Sequence, residues 1–129
     1  MKRALNPASA PTSLPFYSQG AEVTGAGRLV FVSGQVGVTV DGSVLEGIEA
    51  QARQAFENLN AVVAEAGLTP EDIVKLTIYL TDPENLGGFL GAAAASLTEE
   101  PPATTMLFVN QLGSPDLLVE VEAIAAASS

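Results

Sequence analysis

The chain has 129 residues, a formal net charge of −10 and a hydrophobic content of 47%. It contains neither histidine nor cysteine, which excludes a Ser-His-Asp triad, a thiol nucleophile, a Cys/His zinc site and haem or iron–sulfur ligation. The acidity also disfavours a nucleic-acid partner, because the field of the whole molecule repels phosphate groups.

Length and hydrophobic content fit a single domain over residues 1–129. Residues 1–14 are rich in Pro, Ser, Ala and Thr without periodicity, and we expect them to form an N-terminal arm. No segment approaches about 18 consecutive apolar residues, and the N-terminus lacks the apolar stretch of a signal peptide. The sequence therefore predicts a cytoplasmic protein with no membrane partner, and nothing in it indicates a metal or a cofactor.

The first half of the chain is typical of two strands followed by a helix. Residues 28–33 are β-branched and aromatic, and residues 36–40 form a second short strand that Asp41-Gly42 turns into a hairpin. From Ile48 the apolar residues recur at helical spacing, until Gly67 ends the helix as a C-cap. This pattern predicts a β-meander and then a long helix.

The second half alternates the same two kinds of element. A turn at Thr69-Pro70 precedes a strand over residues 74–80, which has one apolar face. Asp82-Pro83 opens a helix to about Leu97, which its glycines weaken so that packing must hold it. Strands over residues 105–109 and 117–124 are the last two predicted elements. The order ββ-α-β-α-ββ predicts an α+β or α/β sandwich with two main helices.

The strands also bear on assembly. Residues 29–32 and 117–124 are apolar on both faces, yet two helices can cover only one face of such a sheet. We therefore expect a homo-oligomer in which sheet faces pack together. The alternative is a thin core with an exposed apolar patch.

Two carboxylates interrupt the apolar run at the end of the chain. Glu120 and Glu122 share one face of the predicted strand, roughly 6.6 Å apart. A buried carboxylate must find partners or take up a proton, which is the property that general acid/base catalysis uses. Both are leading candidates for such chemistry, because the chain offers no histidine.

Four motifs in order resemble the reactive-intermediate deaminase family, also called RidA or YjgF, from about residue 15 to residue 125. The segments are Pro15-Phe16-Tyr17-Ser18-Gln19-Gly20, Val32-Ser33-Gly34-Gln35, Gln51-Ala52-Arg53-Gln54-Ala55-Phe56-Glu57-Asn58-Leu59 and Val119-Glu120-Val121-Glu122-Ala123. The resemblance implies a chorismate-mutase-like α+β fold, with a mixed sheet and two helices packed on one face. It also implies that three copies of the chain form a homotrimer, with a small-molecule ligand in each cleft between subunits.

The typical family activity is hydrolysis of reactive enamines and imines to ketoacids and ammonia, without a cofactor. An arginine clamps the substrate carboxylate, and the glutamate of the closing motif positions water. Carried over to this chain, the resemblance implies that Glu120 is catalytic and that Tyr17, Ser33 and Gly34 line the pocket.

One departure concerns the arginine. The family's Pro-Ala-Arg-Ser/Thr is here Pro102-Ala103-Thr104-Thr105, so that Thr104 stands where the clamping arginine should be. A hydroxyl cannot form a bidentate, charge-assisted pair, and the loss removes about 1.5–3 kcal/mol of carboxylate binding. Imines derived from amino acids should therefore bind poorly, whereas Thr104 and Thr105 could hold a small neutral or polar ligand.

Each candidate also has a structural interpretation. Glu120 could bond to main-chain amides at a subunit contact, Tyr17 could be a packing anchor, and Ser33-Gly34 could form an ordinary turn. The two threonines could simply favour a strand, and Glu122 is assigned a structural role. A hydrolase with altered recognition therefore competes with a trimer that binds a ligand or a partner protein without turnover. The acidity and missing histidine disfavour the ribonuclease role once attached to the family.

Overall fold

The computed structural model describes residues 1–11 and 15–128, which form six strands and two α-helices. The strands are β1 (Lys2–Leu5), β2 (Gly20–Val23), β3 (Arg28–Val36), β4 (Ile73–Leu80), β5 (Ala103–Phe108) and β6 (Val119–Ala127), and the helices are α1 (Ile48–Glu65) and α2 (Leu86–Ala93). Short 3-10 turns lie at Pro70–Asp72, Pro83–Asn85 and Ala94–Ser96. Within the described ranges, no helix is both long and apolar enough to cross a bilayer.

Four strands form the main sheet, in the order β3-β6-β4-β5. Strand β6 is antiparallel to both of its neighbours, while β4 and β5 are parallel and are joined through α2. Both helices pack on one face of this sheet, over a core that includes Leu59, Phe89, Val119 and Val121. The predicted α+β fold, with a mixed sheet and two helices, is therefore confirmed. We call the opposite side the helix-free face.

The end of α1 confirms the predicted C-cap. Gly67 has a φ of +76° and its N–H donates to the Ala64 carbonyl at 2.8 Å, while the Leu68 N–H donates to the Val63 carbonyl at 3.1 Å. This pair of bonds is a Schellman motif, which satisfies carbonyls left free at the last turn.

The glycine-rich helix α2 is shorter than predicted, since it ends at Ala93 rather than near Leu97. It is held by close packing against α1. A Cβ on Gly88 would lie 2.6 Å from Ile48 Cγ2, so a larger residue there would force Ile48 or the helix to shift.

The predicted meander is wrong as two separate strands, but its turn at Asp41-Gly42 is present, since Gly42 has a φ of +89° and the Thr39 N–H donates to the Ser43 carbonyl at 3.0 Å. Strand β3 continues to Val36 as one strand of nine residues, with a bulge between Val32 and Gln35, and the second strand at 36–40 is reduced to a single bridge from Val38 to Val44. The bulge absorbs the Ser33-Gly34 step without ending the pairing with β6.

The N-terminal arm contains a short strand that was not predicted from the sequence. Strand β1 pairs antiparallel with β2, and the Lys2 ammonium donates to the carbonyls of Glu71, Ile73 and Glu100 at 2.9–3.1 Å. The rest of the predicted arm, residues 12–14, lies outside the described residues.

The helix-free face exposes large apolar side chains. Phe31 is 70% exposed, Leu29 57% and Leu107 45%, whereas Val32 on the other face of β3 is buried. Apolar area of this kind, uncovered within one chain, is typical of a surface that packs against another molecule.

Candidate functional site

Glu120 lies on the helix-free face, half-buried, between two completely buried valines of β6. Its backbone pairs with Val36 in β3 and with Tyr79 in β4. The bulge brings Gly34 so close that a Cβ there would lie 1.8 Å from Glu120 Oε2. The carboxylate therefore rests directly against the backbone of Gly34, and a Cβ at this position would displace it.

The second carboxylate, Glu122, has a partner in the same chain. The Tyr79 hydroxyl donates a hydrogen bond to Glu122 Oε1. This bond raises the pKa of Tyr79 above its ordinary value, and partial burial and the negative charges of Glu122 and Glu120 act in the same direction. Glu120 itself accepts no side-chain hydrogen bond within residues 1–11 and 15–128, so its carboxylate is open to water or a ligand.

A shallow depression of about 350 Å³ lies beside the two glutamates, and we call it the acidic depression. Gly34, Tyr79, Val109, Gln111 and Leu112 complete its walls. None of the described residues that line it is a cation.

A second, larger space lies on the other face of the sheet, between the helices and the β4–β5 edge. This apolar cavity measures about 430 Å³, and its lining includes Tyr17, Phe56, Phe89, Thr104 and Met106. Not one of its twenty described lining residues carries a charge.

Hydrogen bonds to the chain just before β5 place Tyr17 at this cavity. The next residue, Ser18, is buried; its N–H donates to the Pro102 carbonyl at 3.1 Å, and its hydroxyl donates to the Pro101 carbonyl at 2.5 Å. Thr104 Oγ1 also donates to the Pro102 carbonyl, at 3.1 Å. Thr104 and the residue next to Tyr17 are thus both bonded to Pro102, which brings Tyr17 and Thr104 to one cavity.

The residues predicted for one site fall into two groups. Glu120 and Gly34 line the acidic depression, and Ser33 is an exposed residue of the adjoining bulge, whereas Tyr17 and Thr104 line the apolar cavity. Thr105 points away from Thr104 and accepts a hydrogen bond from the Lys75 ammonium at 2.8 Å. A single chain therefore does not bring these candidates together, and the two threonines cannot act on one ligand from the same face.

Neither Arg28 nor Arg53 lines the acidic depression or the apolar cavity, so neither substitutes for the missing clamp. Arg28 donates to the carbonyl of Ala66 at the end of α1, and Arg53 is exposed on α1. In the described part of the chain, no group of three potential ligands is placed to hold a metal ion.

Sequence reasoning missed Tyr79 and the cavity. The alternation of β4 assigns Tyr79 to the polar face of the strand, but only the pairing of β4 with β6 shows that it meets Glu122. The cavity draws on distant elements, since Asn60 comes from α1, Leu90 from α2 and Met106 from β5.

Comparison with known proteins identifies the family. The model of the family described as Endoribonuclease L-PSP matches residues 7–127. The 2-iminobutanoate/2-iminopropanoate deaminase of Salmonella typhimurium is 36% identical over 129 residues, which cover 97% of this chain and 98% of that protein. The chain belongs to the RidA family.

Solved structures of Rid proteins share the fold. YyfB from Yersinia pestis, a Rid family protein described as of unknown function, matches with a TM-score of 0.87 and 33% identity over 98% of both chains. RidA from an Antarctic Psychrobacter species matches with a TM-score of 0.73 and 32% identity over 97% of this chain and 99% of its own. The backbone is thus more similar to YyfB than to this RidA.

Proposed function

We propose that this RidA-family chain is a small-molecule hydrolase of the enamine/imine deaminase type, and that it acts as a homotrimer with Glu120 as the group that activates water. The observation that carries the proposal is the state of the Glu120 carboxylate. It is half-buried against the backbone of Gly34, and no side-chain donor of the described chain occupies it. Its neighbour Glu122 is engaged by Tyr79, which leaves Glu120 as the free base.

The division of the candidates between two faces supports an active site shared by two copies. A ligand that reaches both Glu120 and Tyr17 must lie between the helix-free face of one protomer and the cavity side of the next. Two different surfaces in contact form a heterologous interface, which closes into a ring when the rotation allows it. The exposed Leu29 and Phe31 supply apolar area for that contact.

The chemistry needs only one carboxylate and water. Glu120 accepts a proton from water while the water oxygen attacks the imine carbon. The C=N electron pair moves to nitrogen, which is then protonated. The resulting carbinolamine then loses ammonia and leaves a carbonyl product, with the proton shuttled through Glu120. In the proposed shared site, the apolar cavity of the next protomer faces Glu120 and excludes competing water, which strengthens this transfer.

Recognition in this proposal shifts away from carboxylate substrates. Thr104 replaces the family arginine, and no charged residue lines the apolar cavity in the described ranges. The Salmonella relative is named for 2-iminobutanoate and 2-iminopropanoate, both of which carry a carboxylate. We expect such imines to bind this chain more weakly, by about 1.5–3 kcal/mol.

Two panels of imines test the function. An amino-acid oxidase generates imines with a carboxylate and a monoamine oxidase generates neutral ones, and ammonia release is followed while semicarbazide traps unreacted imine. We expect acceleration with neutral imines, lost in Glu120→Gln and kept in Glu57→Gln, a matched change on the exposed side of α1. Acceleration that survives in Glu120→Gln would refute the assigned role.

A complementary gain of function tests recognition. Thr104→Arg should raise turnover of 2-aminoacrylate-type substrates, because it restores a cation beside Tyr17. If turnover stays unchanged although the variant folds, the pocket differs from that of the carboxylate-specific relatives beyond this residue.

One observation favours a second candidate, a trimer that binds a ligand without turnover. Neither the acidic depression nor the apolar cavity offers a cation among the described residues, so substrate charge cannot be fixed by an ion pair. Binding without acceleration in either panel would support this candidate. RNA cleavage has only the family's name in its favour, against a net charge of −10 and no histidine.

A further inference from the structure

We propose that the apolar cavity binds the hydrophobic group of a neutral small molecule, and that this group decides which ligand the protein accepts. This proposal deepens the proposed function and rests on it for one part, the chemistry at the reacting end of the ligand. Binding by the cavity itself does not depend on turnover.

The lining of the cavity determines the charge of the ligand. Twenty described residues form its walls without one charged side chain. An ionised group moved from water into such walls would lose its hydration without gaining a partner. A carboxylate or an ammonium is thus excluded from the cavity, while an aromatic or aliphatic group gains from burial.

The size of the cavity limits the ligand further. Its volume of about 430 Å³ falls in the usual range for small-molecule sites. Since a cavity of about 150 Å³ holds benzene, this space fits a ligand of roughly ten to fifteen non-hydrogen atoms.

A few polar groups give the ligand an orientation. The Tyr17 hydroxyl, the Asn60 amide and the Thr104 hydroxyl belong to residues that line the otherwise apolar walls. Thr104 already donates its proton to the Pro102 carbonyl, so its oxygen is available as an acceptor. This combination suits a ligand with one neutral polar function, such as an imine or a ketone, attached to a hydrophobic body.

A matched pair of ketones tests the proposal by calorimetric titration. The probes are 4-phenyl-2-butanone and 2-oxo-4-phenylbutanoate, which differ in that a carboxylate replaces the terminal methyl group. We expect the neutral ketone to bind at least tenfold more tightly than the ketoacid. Equal affinity, or preference for the ketoacid, would overturn the proposal.

A pair of neighbouring alanines locates the binding. Ala94 lines the cavity, whereas Ala95 in the same 3-10 turn does not, and both are exposed, so a larger side chain is tolerated at either position. Ala94→Phe should weaken binding of 4-phenyl-2-butanone at least tenfold, and Ala95→Phe should leave it within twofold. Unchanged binding by Ala94→Phe would place the ligand elsewhere and overturn the proposal.

Two further measurements separate the possible failures. Glu120→Gln should bind the neutral ketone as the unaltered chain does, because Glu120 does not line the cavity. If the unaltered chain binds the ketone but accelerates no imine hydrolysis, only the hydrolase function is refuted. If Ala94→Phe instead changes the molar mass measured by sedimentation, the cavity is filled by a second copy of the chain. That result would overturn the ligand proposal.

Discussion

A single buried glutamine is expected to contribute more to stability than any other polar side chain of α1. Gln51 is 1% exposed, and its Nε2 donates to the carbonyls of Leu45 and Asp116 at 3.0 and 2.9 Å. Its Oε1 accepts from the Leu118 N–H at 2.8 Å. The side chain therefore ties α1 both to the loop after β3 and to the loop that leads into β6.

The change Gln51→Met keeps the unbranched shape but removes all three bonds. Two carbonyls and one amide lose their partners. Because all three bonds are only partly buried, the low end of the range of about 1–3 kcal/mol for each unsatisfied group applies, and we expect a loss of about 3–5 kcal/mol. That is a large share of the stability of a typical domain. Urea unfolding followed by far-ultraviolet circular dichroism measures the loss, since the chain has no tryptophan.

Gln54→Met is the matched control on the same helix. Gln54 is only half-buried, and its Nε2 donates to Asn58 Oδ1 at 2.8 Å, so its loss should cost less than about 1 kcal/mol. If Gln51→Met costs no more than the control, then water replaces the three bonds and Gln51 is not the tie between these elements.

Two more predictions concern the helix-free face. In Gly34→Ala the new Cβ would lie 1.8 Å from Glu120 Oε2, so the carboxylate must move by about 1.6 Å to reach the 3.4 Å of an ordinary contact. We expect hydrolysis assays to show a loss of roughly 100-fold. The control Gly113→Ala, which has open space around it, should remain active. The pKa of Tyr79 is raised above 10.0, first by its bond to Glu122, so the bond stabilises the fold below pH 10 and is lost as pH rises through the higher folded value. In a tyrosinate absorbance titration Glu122→Gln should lower that pKa, and no change would contradict the bond.

Much of the fold could be predicted because its signals are local. Gly67 ends α1 through its own positive φ, and the alternation over residues 74–80 defines β4 with one apolar face. The predicted meander failed for a reason that is not local, because the pairing of β3 with β6 carries the strand across the Ser33-Gly34 bulge.

Prediction of the site from the sequence was limited in the same way. Glu120 could be singled out from an acid in an apolar run, but its contact with Gly34 depends on how β3 meets β6. Thr104 and Thr105 read as one unit in sequence, although a strand directs them to opposite faces. The uncharged cavity has no motif at all, since it arises where α1, α2 and β5 come together.

Mixing two inactive variants tests most directly whether each active site is shared by two copies. Glu120→Gln removes the base on one face and Ala94→Phe blocks the cavity on the other, so each homotrimer alone should be inactive. In trimers assembled from equal amounts of both variants, about one quarter of the interfaces should join a protomer with Glu120 intact to a neighbour with an open cavity. About a quarter of the wild-type activity should then return. Activity no higher than that of the separate variants would mean that Glu120 and the cavity do not meet across an interface.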